Sequence, residues 1–448
     1  MPSAVLKHIA VAAFGLGTWL SINSVFVQLP LFVNVVPEQW NLSTYIVLIV
    51  QISCFFPLIY GYFDWKYRHK NDWCSRNRTI LIPAMLLMAA GGLIMAAFVY
   101  DKPCTVAGGK HSYLLFVAFF IMSMPCTVSD VMFMPYITRF NGTHIVTTFF
   151  VGMGLSALVP SAVSLVQGYN VQLNGTAPNG WGPTDGCGLL FGARSFLVFM
   201  AAFYGVSFLG FLLLAKQDVK IEPDISTEKH PQKVCDGEIS VCIKANGNNT
   251  DDIFQSSFEK NSVIIVEKSP EKTGKEMDNY SELKPLHWRL FLMISLVLGA
   301  LQNSVVPVIL PFAMQPYGQN VCDDQRMYHV ATSLYVMVNP IFCFLQFFIE
   351  FRTVTIFAIW TLFNVAMVMF TFVCALLSFD LSGLGPILCV IFSLASGFIS
   401  WERTAVAHIL RNNSSEAGLF WCGAFTQIGS FLGALLMFLL SNVAHIFE

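Results

Sequence analysis

The sequence predicts an all-α polytopic membrane protein, with eleven transmembrane helices arranged as a group of six and a group of five. Of its 448 residues, 55% are hydrophobic and only 12% are charged, whereas soluble domains carry about a quarter charged residues. Eleven apolar runs have the length of about 20 residues that crosses a bilayer. A single polar stretch divides these runs into the two groups. A water-soluble globular enzyme is therefore excluded.

The predicted spans follow from the hydrophobic runs alone. In chain order they cover residues 9–31, 43–63, 79–99, 113–134, 147–167, 195–215, 288–312, 328–349, 354–377, 385–405 and 418–440. The first run is longer than a signal-peptide core, follows a single basic residue, Lys7, and shows no convincing cleavage site at its far end. We therefore expect it to be a membrane helix.

The polar stretch at 216–287 is rich in Lys, Glu, Asp, Asn and Ser and lacks sustained apolar periodicity. Such a segment cannot bury enough apolar surface to offset the entropy of ordering it, so we predict a mostly disordered cytoplasmic linker. The linker separates an N-terminal bundle of six helices at 1–215 from a C-terminal bundle of five at 288–448. Two bundles that enclose a central path are the design of many alternating-access carriers.

The basic residues of the loops predict the orientation, because Lys and Arg are retained on the cytoplasmic side. With a cytoplasmic N-terminus, the inner loops carry nine Lys and Arg even without the linker, and the outer loops carry four. An odd number of spans then places the C-terminus outside the cell. The sequons at Asn41 and Asn174 fall in outer segments and are candidate glycosylation sites.

Charge and motifs exclude several classes of function. The formal net charge is −2 and the 25 Lys and Arg form no basic stripe, so nucleic acid is not an expected partner. The sequence has no Walker-type phosphate loop, no G-x-S-x-G motif and no H-E-x-x-H motif. It also has no Cys and His cluster at zinc spacing. We therefore expect neither catalysis nor a bound cofactor or metal.

The first run carries the strongest candidate site. Trp19, Asn23 and Phe26 are spaced by four and three residues, which places them on one helix face, and Gln28 follows near the outer end. An amide both donates and accepts hydrogen bonds, so amides beside aromatic rings suit a neutral ligand with a lactam or imide edge. Equally, Asn23 and Gln28 could simply hold neighbouring helices together.

Ionisable residues inside apolar runs are costly and therefore candidates for function. Asp130, in the fourth run, is the one carboxylate well inside such a run; it is predicted to be a proton carrier or a neutral hydrogen-bonding acid, with a structural partner as the alternative. Glu402 and Arg403 lie near the inner end of the tenth run. We expect them to snorkel to the membrane surface or to pair with other helices, not to bind a solute.

Small residues predict close helix packing. Gly152 and Gly154 lie in the fifth run, ahead of Pro160, and Gly429 and Gly433 form a G-x-x-x-G in the last run. Small side chains at such positions let two backbones approach closely.

At these same residues the chain resembles the eukaryotic riboflavin transporter family, solute carrier family 52. The resemblance is carried by Gly15-Leu-Gly-Thr-Trp19, Asn23, Leu29-Pro30, Phe133-Met-Pro135, Gly154-Leu-Ser-Ala-Leu-Val-Pro160, Leu165-Val-Gln-Gly168, Asn303, Pro307, Pro316-Tyr-Gly318, Tyr328-His329, Asn339-Pro340, Gln427-Ile-Gly-Ser430 and Gly433. It spans nearly every predicted helix. Each motif is short, but their order and spacing together are specific.

The resemblance implies sodium-independent, facilitative movement of riboflavin across the plasma membrane. It also implies a major-facilitator-like arrangement of eleven helices, close to that of equilibrative nucleoside carriers. Riboflavin has a flat tricyclic ring with an imide-like edge, on which aromatic faces can stack while amides pair with the edge. The family pattern assigns binding to Trp19, Asn23, Phe26, Gln28 and Asn303, and further to Asp130 and Phe133.

Two departures from the family pattern bear on mechanism. Mammalian members have Glu before the Leu-Pro of the first helix, where this chain has Gln28, which removes a titratable group. They also have two cysteines, presumed to pair, at positions where this chain has Met314 and Asp380, so that disulfide is not expected. Two other functions stay open: a carrier for nucleosides or another planar heterocycle, and a membrane receptor that does not transport.

Overall fold

A computed structural model describes residues 4–67, 73–106, 109–138, 140, 144–168, 189–221, 285–317, 321–349, 353–377 and 383–447. These residues are almost entirely helical, as the sequence predicts. The helices on both sides of 222–284 belong to a single compact unit. Nearly all of the predicted linker lies outside the described residues, although its first residues continue the sixth span as helix.

Among the described residues, eight helices precede the gap at 222–284 and five follow it. The first eight are α1 (Ala4–Leu16), α2 (Leu20–Phe32), α3 (Leu42–Ser53), α4 (Phe56–Tyr67), α5 (Trp73–Val99), α6 (Tyr113–Ile137), α7 (Ile145–Gln167) and α8 (Ala193–Ile221). A hairpin of β1 (Cys104–Val106) and β2 (Gly109–His111) joins α5 to α6. The carboxylate of Glu38, in the connection before α3, accepts a hydrogen bond from the backbone N–H of Ser112 at 2.8 Å, which ties this hairpin to the first connection.

Five helices follow the gap. They are α9 (Pro285–Ala300), α10 (Val306–Met314), α11 (Val321–Cys343), α12 (Val354–Leu377) and α13 (Leu384–Asn442). A π-helical turn at Leu301–Val305 joins α9 to α10 within one span. Among the described residues, ten helices are long and apolar enough to cross a membrane, and an eleventh span results if the bent pair α1 and α2 is counted as one. The predicted eleven-span fold is thus confirmed.

The first span differs from the continuous helix that the sequence predicts. It bends by 50° between α1 and α2, at Gly17, Thr18 and Trp19. The Thr18 side chain donates to the Gly15 carbonyl at 2.9 Å, and a Cβ on Gly17 would lie 2.8 Å from the Leu86 side chain. Local hydrogen bonding and crowding at a glycine therefore break a helix whose hydrophobic pattern is uninterrupted.

The tenth and eleventh spans lie in one element, α13, which is helical over 59 residues. Arg403 and Ser430 are 27 residues apart, about 40 Å along a straight helix. Both nevertheless contact Asn303. The chain must therefore reverse direction between them, so the two predicted spans are correct although no coil separates them.

Glycines bring the helices of each group close together, as predicted. A Cβ on Gly152 would collide with the carbonyl oxygen of Ala12, so α7 packs backbone to backbone on α1. In the last span, a Cβ on Gly429 would collide with the carbonyl of Leu296, and a Cβ on Gly433 would lie 3.2 Å from the carbonyl oxygen of Ala300. Packing is the role of the G-x-x-x-G pair here.

Candidate functional site

The bend in the first span places an aromatic and amide group at the start of α2. Trp19 lies in the bend itself, with φ −110° and ψ 9°, and Asn23 and Phe26 follow on α2. All three side chains keep part of their surface exposed, although most residues between them are buried. The amide nitrogen of Asn23 donates to the carbonyl of Ser156 on α7 at 3.2 Å, which leaves its oxygen as an acceptor.

Gln28 lies apart from this group. Its side chain is fully buried, and its amide nitrogen donates to Gln167 Oε1 on α7 at 2.8 Å. The Gln167 nitrogen in turn donates to the carbonyl of Phe191 at 2.9 Å. In this conformation Gln28 thus holds two helices together, which is the alternative role that the sequence left open.

The structure describes the side chain of Phe133 but not that of Asp130. The Phe133 ring is buried and stacks on Phe14 at a centroid distance of 4.5 Å, in a cluster with Tyr136, Phe149 and Phe211. Its surroundings are those of a core residue. Asp130 belongs to α6, but its side chain lies outside the part of the chain that the structure describes, so its predicted role stays a prediction.

Asn303 lies in the π-helical turn of the seventh span, beside Gln302. Its amide nitrogen donates to the Ser430 hydroxyl on α13 at 2.9 Å, and its side chain is partly exposed. The hydroxyl of Tyr335 on α11 donates to the carbonyl of Gln302 at 2.7 Å. A π-turn leaves backbone carbonyls without their usual helical partners, and here a side chain from a neighbouring helix occupies one of them.

Arg403 pairs with the seventh span, which is one of the two alternatives that the sequence left open. It points neither to the membrane surface nor to a carboxylate among the described residues: its guanidinium Nη1 donates to Gln302 Oε1 at 2.5 Å and lies 3.4 Å from Asn303 Oδ1. Gln302 also donates to Asn339 Oδ1 at 3.3 Å and to the Ser400 hydroxyl. We call Gln302, Asn303, Asn339, Ser400 and Arg403 the arginine network.

A signal for this network exists in the sequence. Ser396, Ser400 and Arg403 are spaced by four and three residues and therefore share one helix face. Ser396 and Ser400 both donate to Asn339, so that face contacts α11 and the seventh span. A polar face at helical spacing inside an apolar run would have predicted an arginine that points into the protein.

Glu402 points away from this network. It is fully buried, its Oε1 accepts from the Thr361 hydroxyl at 2.6 Å, and its Oε2 accepts from the Asn364 amide at 2.7 Å. Both partners belong to α12. The expectation that Glu402 pairs with another helix is confirmed.

The first-span group, Trp19, Asn23 and Phe26, is connected to the arginine network through α7 and α11. Asn23 bonds to Ser156 on α7, two residues from Gly154. A Cβ on Gly154 would lie 3.4 Å from the Pro340 ring, so this step crosses between the two groups of helices. The adjacent Asn339 bonds to Gln302, which accepts a hydrogen bond from Arg403.

The two halves meet through a further cluster at the end where the first span finishes. His329 Nε2 and the Ser164 hydroxyl are 2.7 Å apart, and the Ser333 hydroxyl donates to that of Ser164 at 3.0 Å. Above them, a Cβ on Gly168 would lie 3.0 Å from the His329 ring. Ser164 and Gly168 belong to the first half, and His329 and Ser333 to α11.

Two other contacts join the halves at the same end. The Trp40 and Tyr328 rings have their centroids 5.8 Å apart, and the Ser441 hydroxyl donates to Asn41 Oδ1 at 2.5 Å. Correspondingly, α2 packs on α11 and α3 packs on α10 and α13, whereas the main neighbours of α1 and α4 are helices of their own half. We call this end, with Trp40, Ser164, Tyr328 and His329, the closed end.

Of the two predicted glycosylation sites, the structure describes one. Asn41 is partly exposed and engaged by Ser441, while Asn174 lies outside the described residues; glycosylation of both stays a prediction. Within the described ranges, no group of three or more His, Cys, Asp or Glu could hold a metal ion.

Comparison with known sequences identifies a transporter family, and the match covers nearly the whole chain. Residues 3–448 match the profile of the family described as "Solute carrier family 52, riboflavin transporter". The chain is 31% identical to riboflavin transporter rft-2 and 32% identical to riboflavin transporter rft-1, both of Caenorhabditis elegans. These matches cover 100% of this chain and 98% and 99% of the two relatives. The human solute carrier family 52 riboflavin transporter, member 3, is 27% identical over 99% of this chain.

Solved structures are similar in fold only. A bacterial homologue of the human lysosomal transporter Spinster has a TM-score of 0.52 at 13% identity, over 97% of this chain and 82% of that protein. A POT family transporter in complex with 5-aminolevulinic acid has a TM-score of 0.51 at 9% identity, over 99% and 92%. The helices thus have the arrangement of major-facilitator-type transporters.

Proposed function

The chain belongs to the solute carrier family 52 riboflavin transporters, and from this premise we propose that it carries riboflavin across the plasma membrane by facilitative, sodium-independent alternating access. It is a transporter and not an enzyme, because its relatives and structural neighbours are transporters. The observation that carries the proposal is that partly exposed aromatic and amide groups of the first half are connected to partly exposed amides of the second half where Gly154 meets Pro340.

The proposed site combines surfaces that fit the two parts of a flavin ring. Trp19 and Phe26 supply aromatic faces for stacking, and Asn23 and Asn303 supply amides for its polar atoms. Gln28 and Phe133 are assigned supporting roles, because the amide of Gln28 is bonded to Gln167 and the ring of Phe133 is stacked in the core. Asp130 is assigned to the proton or hydrogen-bonding role that its place in the fourth span suggests.

The orientation proposed from the loop charges makes the closed end extracellular. The N-terminus is then cytoplasmic and the C-terminus extracellular, and the described conformation is closed toward the outside. Asn41 and Asn174 are the proposed glycosylation sites. Alternating access then requires the contacts among Ser164, Ser333 and His329 to separate in each transport cycle, because α7 and α11 belong to different halves.

Uptake of labelled riboflavin tests this proposal. The full chain is expressed in cells and its surface amount is measured by biotinylation; the purified protein is reconstituted in sealed vesicles. We expect saturable entry above that of mock-expressing cells, unchanged when choline replaces sodium, and equilibration of riboflavin across the vesicle membrane. Entry that requires sodium would contradict the facilitative mechanism.

Competition separates this function from the alternatives. Unlabelled riboflavin should suppress uptake at lower concentrations than uridine or another planar heterocycle. The reverse order would identify a carrier for nucleosides or related solutes. Correct surface placement with uptake no greater than that of mock-expressing cells would instead indicate a receptor.

A further inference from the structure

Arg403 combines a buried position with the absence of a charged partner. It lies seven residues before the end of the span Leu384–Leu410, about 10 Å inside the helix end. The described part of the chain provides it with no ion pair, because its Nη1 contacts only the amide oxygens of Gln302 and Asn303. The carboxylate of Glu402 is bonded to Thr361 and Asn364 instead.

An arginine at this depth is costly unless something else stabilises its charge. A guanidinium has five N–H donors in a planar fork, and among the described residues only those on Nη1 have acceptors. Nε and Nη2 are therefore available to an acceptor that the protein does not itself supply. The network holds the guanidinium in place without saturating it.

Arg403 keeps accessible surface on a polar helix face. Its neighbours Glu402 and Ala405 are buried, whereas Arg403 is partly exposed. The helix face that carries Arg403 also carries Ser396 and Ser400, which bond to Asn339. Asn303 and Asn339, on the other side of the network, are partly exposed as well. Three polar groups of one network therefore keep surface that a solute can contact.

We infer that Arg403 is a specificity-determining residue that binds the pyrimidinedione edge of the riboflavin ring, donating to one of its carbonyl oxygens. The inference rests on the proposed function. The two ring carbonyls are pure acceptors and match a group that only donates. The imide N–H between them finds an acceptor in Asn303 Oδ1, which Arg403 engages only weakly at 3.4 Å. The hydroxyls of the ribityl chain both donate and accept, and they suit the amides better.

This assignment also orients the solute between the halves. Trp19 and Phe26 offer aromatic faces from the first half, and Arg403 offers its donors from the second. The polar edge of the ring then lies toward the arginine network while its faces stack on the first-span group.

The test compares Arg403→Gln with wild type for two ligands that share the ring. Lumiflavin has the same ring system as riboflavin but no ribityl chain. Loss of hydrogen bonds from a charged group should raise the riboflavin KM by roughly tenfold to a hundredfold, and should raise the lumiflavin concentration for half-inhibition by a similar factor. Arg403→Lys, which keeps the charge but loses the planar fork, should give values between those of wild type and those of Arg403→Gln for both ligands.

Glu402→Gln on the adjacent position is the matched control. Among the described residues, the Asn364 oxygen has no hydrogen-bond partner. A turned Asn364 amide can therefore accept from the introduced amide while Thr361 still donates to the oxygen of that amide. We expect both ligands to behave as in wild type with this variant. If Arg403→Gln does not reach the membrane, Arg403→Lys is measured with the same two ligands.

Three results would overturn the inference. An unchanged KM with reduced maximal uptake would make Arg403 structural. A raised riboflavin KM with unchanged inhibition by lumiflavin would move its contact to the ribityl chain. An equal loss in Glu402→Gln would assign the effect to helix packing. Wild-type protein that transports no riboflavin would contradict the proposed function itself, whatever the variants show.

Discussion

The two halves of the molecule satisfy their internal polar groups in different ways. In the first half the buried amides of Gln28 and Gln167 bond to each other, and the rings of Trp19 and Phe26, apart from this pair, keep partly exposed surface. In the second half a guanidinium is bonded to amides that also bond to serines. One half therefore offers faces to a solute, and the other offers directional donors.

This difference shows that the two halves of a carrier can contribute different types of side chain to one site. A flat ring can slide on aromatic faces, because stacking tolerates small shifts. Hydrogen bonds from a planar guanidinium do not tolerate such shifts. We therefore expect variants of the first half to lower affinity broadly across planar solutes, and variants of the second half to change selectivity.

The largest effect in the first half is expected from Trp19→Ala. Loss of one stacking face should raise the riboflavin KM by roughly fivefold to a hundredfold, as loss of a stacking partner does for bases. Inhibition of uptake by uridine or another planar competitor should require a concentration that is higher by a similar factor. Trp421→Ala, which removes an exposed ring from α13, is the control in the same uptake assay. Preserved affinity in Trp19→Ala would remove the ring from the site.

Gln28→Glu tests the neutral pairing of the first half. A protonated carboxyl can donate to Gln167 Oε1 as the amide does, but an ionised one leaves that buried oxygen without a donor, at about 1–3 kcal/mol. Uptake by the variant should therefore fall relative to wild type as pH rises. Gln315→Glu, at an exposed position, is the control. Matching pH profiles for Gln28→Glu and wild type would show that this pair does not limit transport.

Ser164→Ala should alter the balance between conformations by a smaller factor. It removes both hydrogen bonds that reach Ser164 from α11, and each contributes about 0.5–1.5 kcal/mol to the closed end. Labelling of a cysteine introduced near the closed end should increase severalfold. Ser161→Ala is the matched control, because Ser161 is buried on the same helix and bonds only to the carbonyl of Ala157. Unchanged labelling would show that the cluster does not hold this end shut.

The smallest effect is expected from Asn23→Ala. Its amide makes one hydrogen bond to Ser156 in the described conformation, and a neutral hydrogen bond to a solute is worth about 1 kcal/mol. The riboflavin KM should rise by a few-fold while surface amount stays near wild type. Asn442→Ala, whose amide bonds within its own helix, should leave it unchanged. An unaltered KM would confine Asn23 to a packing role.

Much of the fold was predictable because a helix that crosses the bilayer needs about 20 predominantly apolar residues, which are visible in the sequence. The first-span bend, the π-turn at Leu301–Val305 and the reversal within α13 were not predictable in this way. They depend on tertiary contacts, such as the hydrogen bond from Tyr335 to the Gln302 carbonyl. An apolar run indicates that a membrane helix can form, but it does not indicate where contacts with neighbouring helices interrupt that helix.

The candidate site was predictable where the spacing of residues in the sequence agrees with their exposure in the structure. Trp19, Asn23 and Phe26 are grouped and partly exposed as their spacing suggests. Phe133 was indistinguishable from them by residue type, since a buried ring and a binding ring have the same composition. For Arg403 the sequence left snorkelling and pairing with other helices as alternatives, and only its contacts with Gln302 and Asn303 show that it pairs.

The 50° bend in the first span gives Trp19 a mechanical position as well as a chemical one. Below it, α1 is fastened to α7 through Gly152, and above it α2 packs on α11 of the opposite half. Trp19 thus lies where the first span passes from a segment packed within its own half to a segment that also contacts the other half. A solute that stacks on this ring, as proposed, would therefore also restrict the angle between α1 and α2.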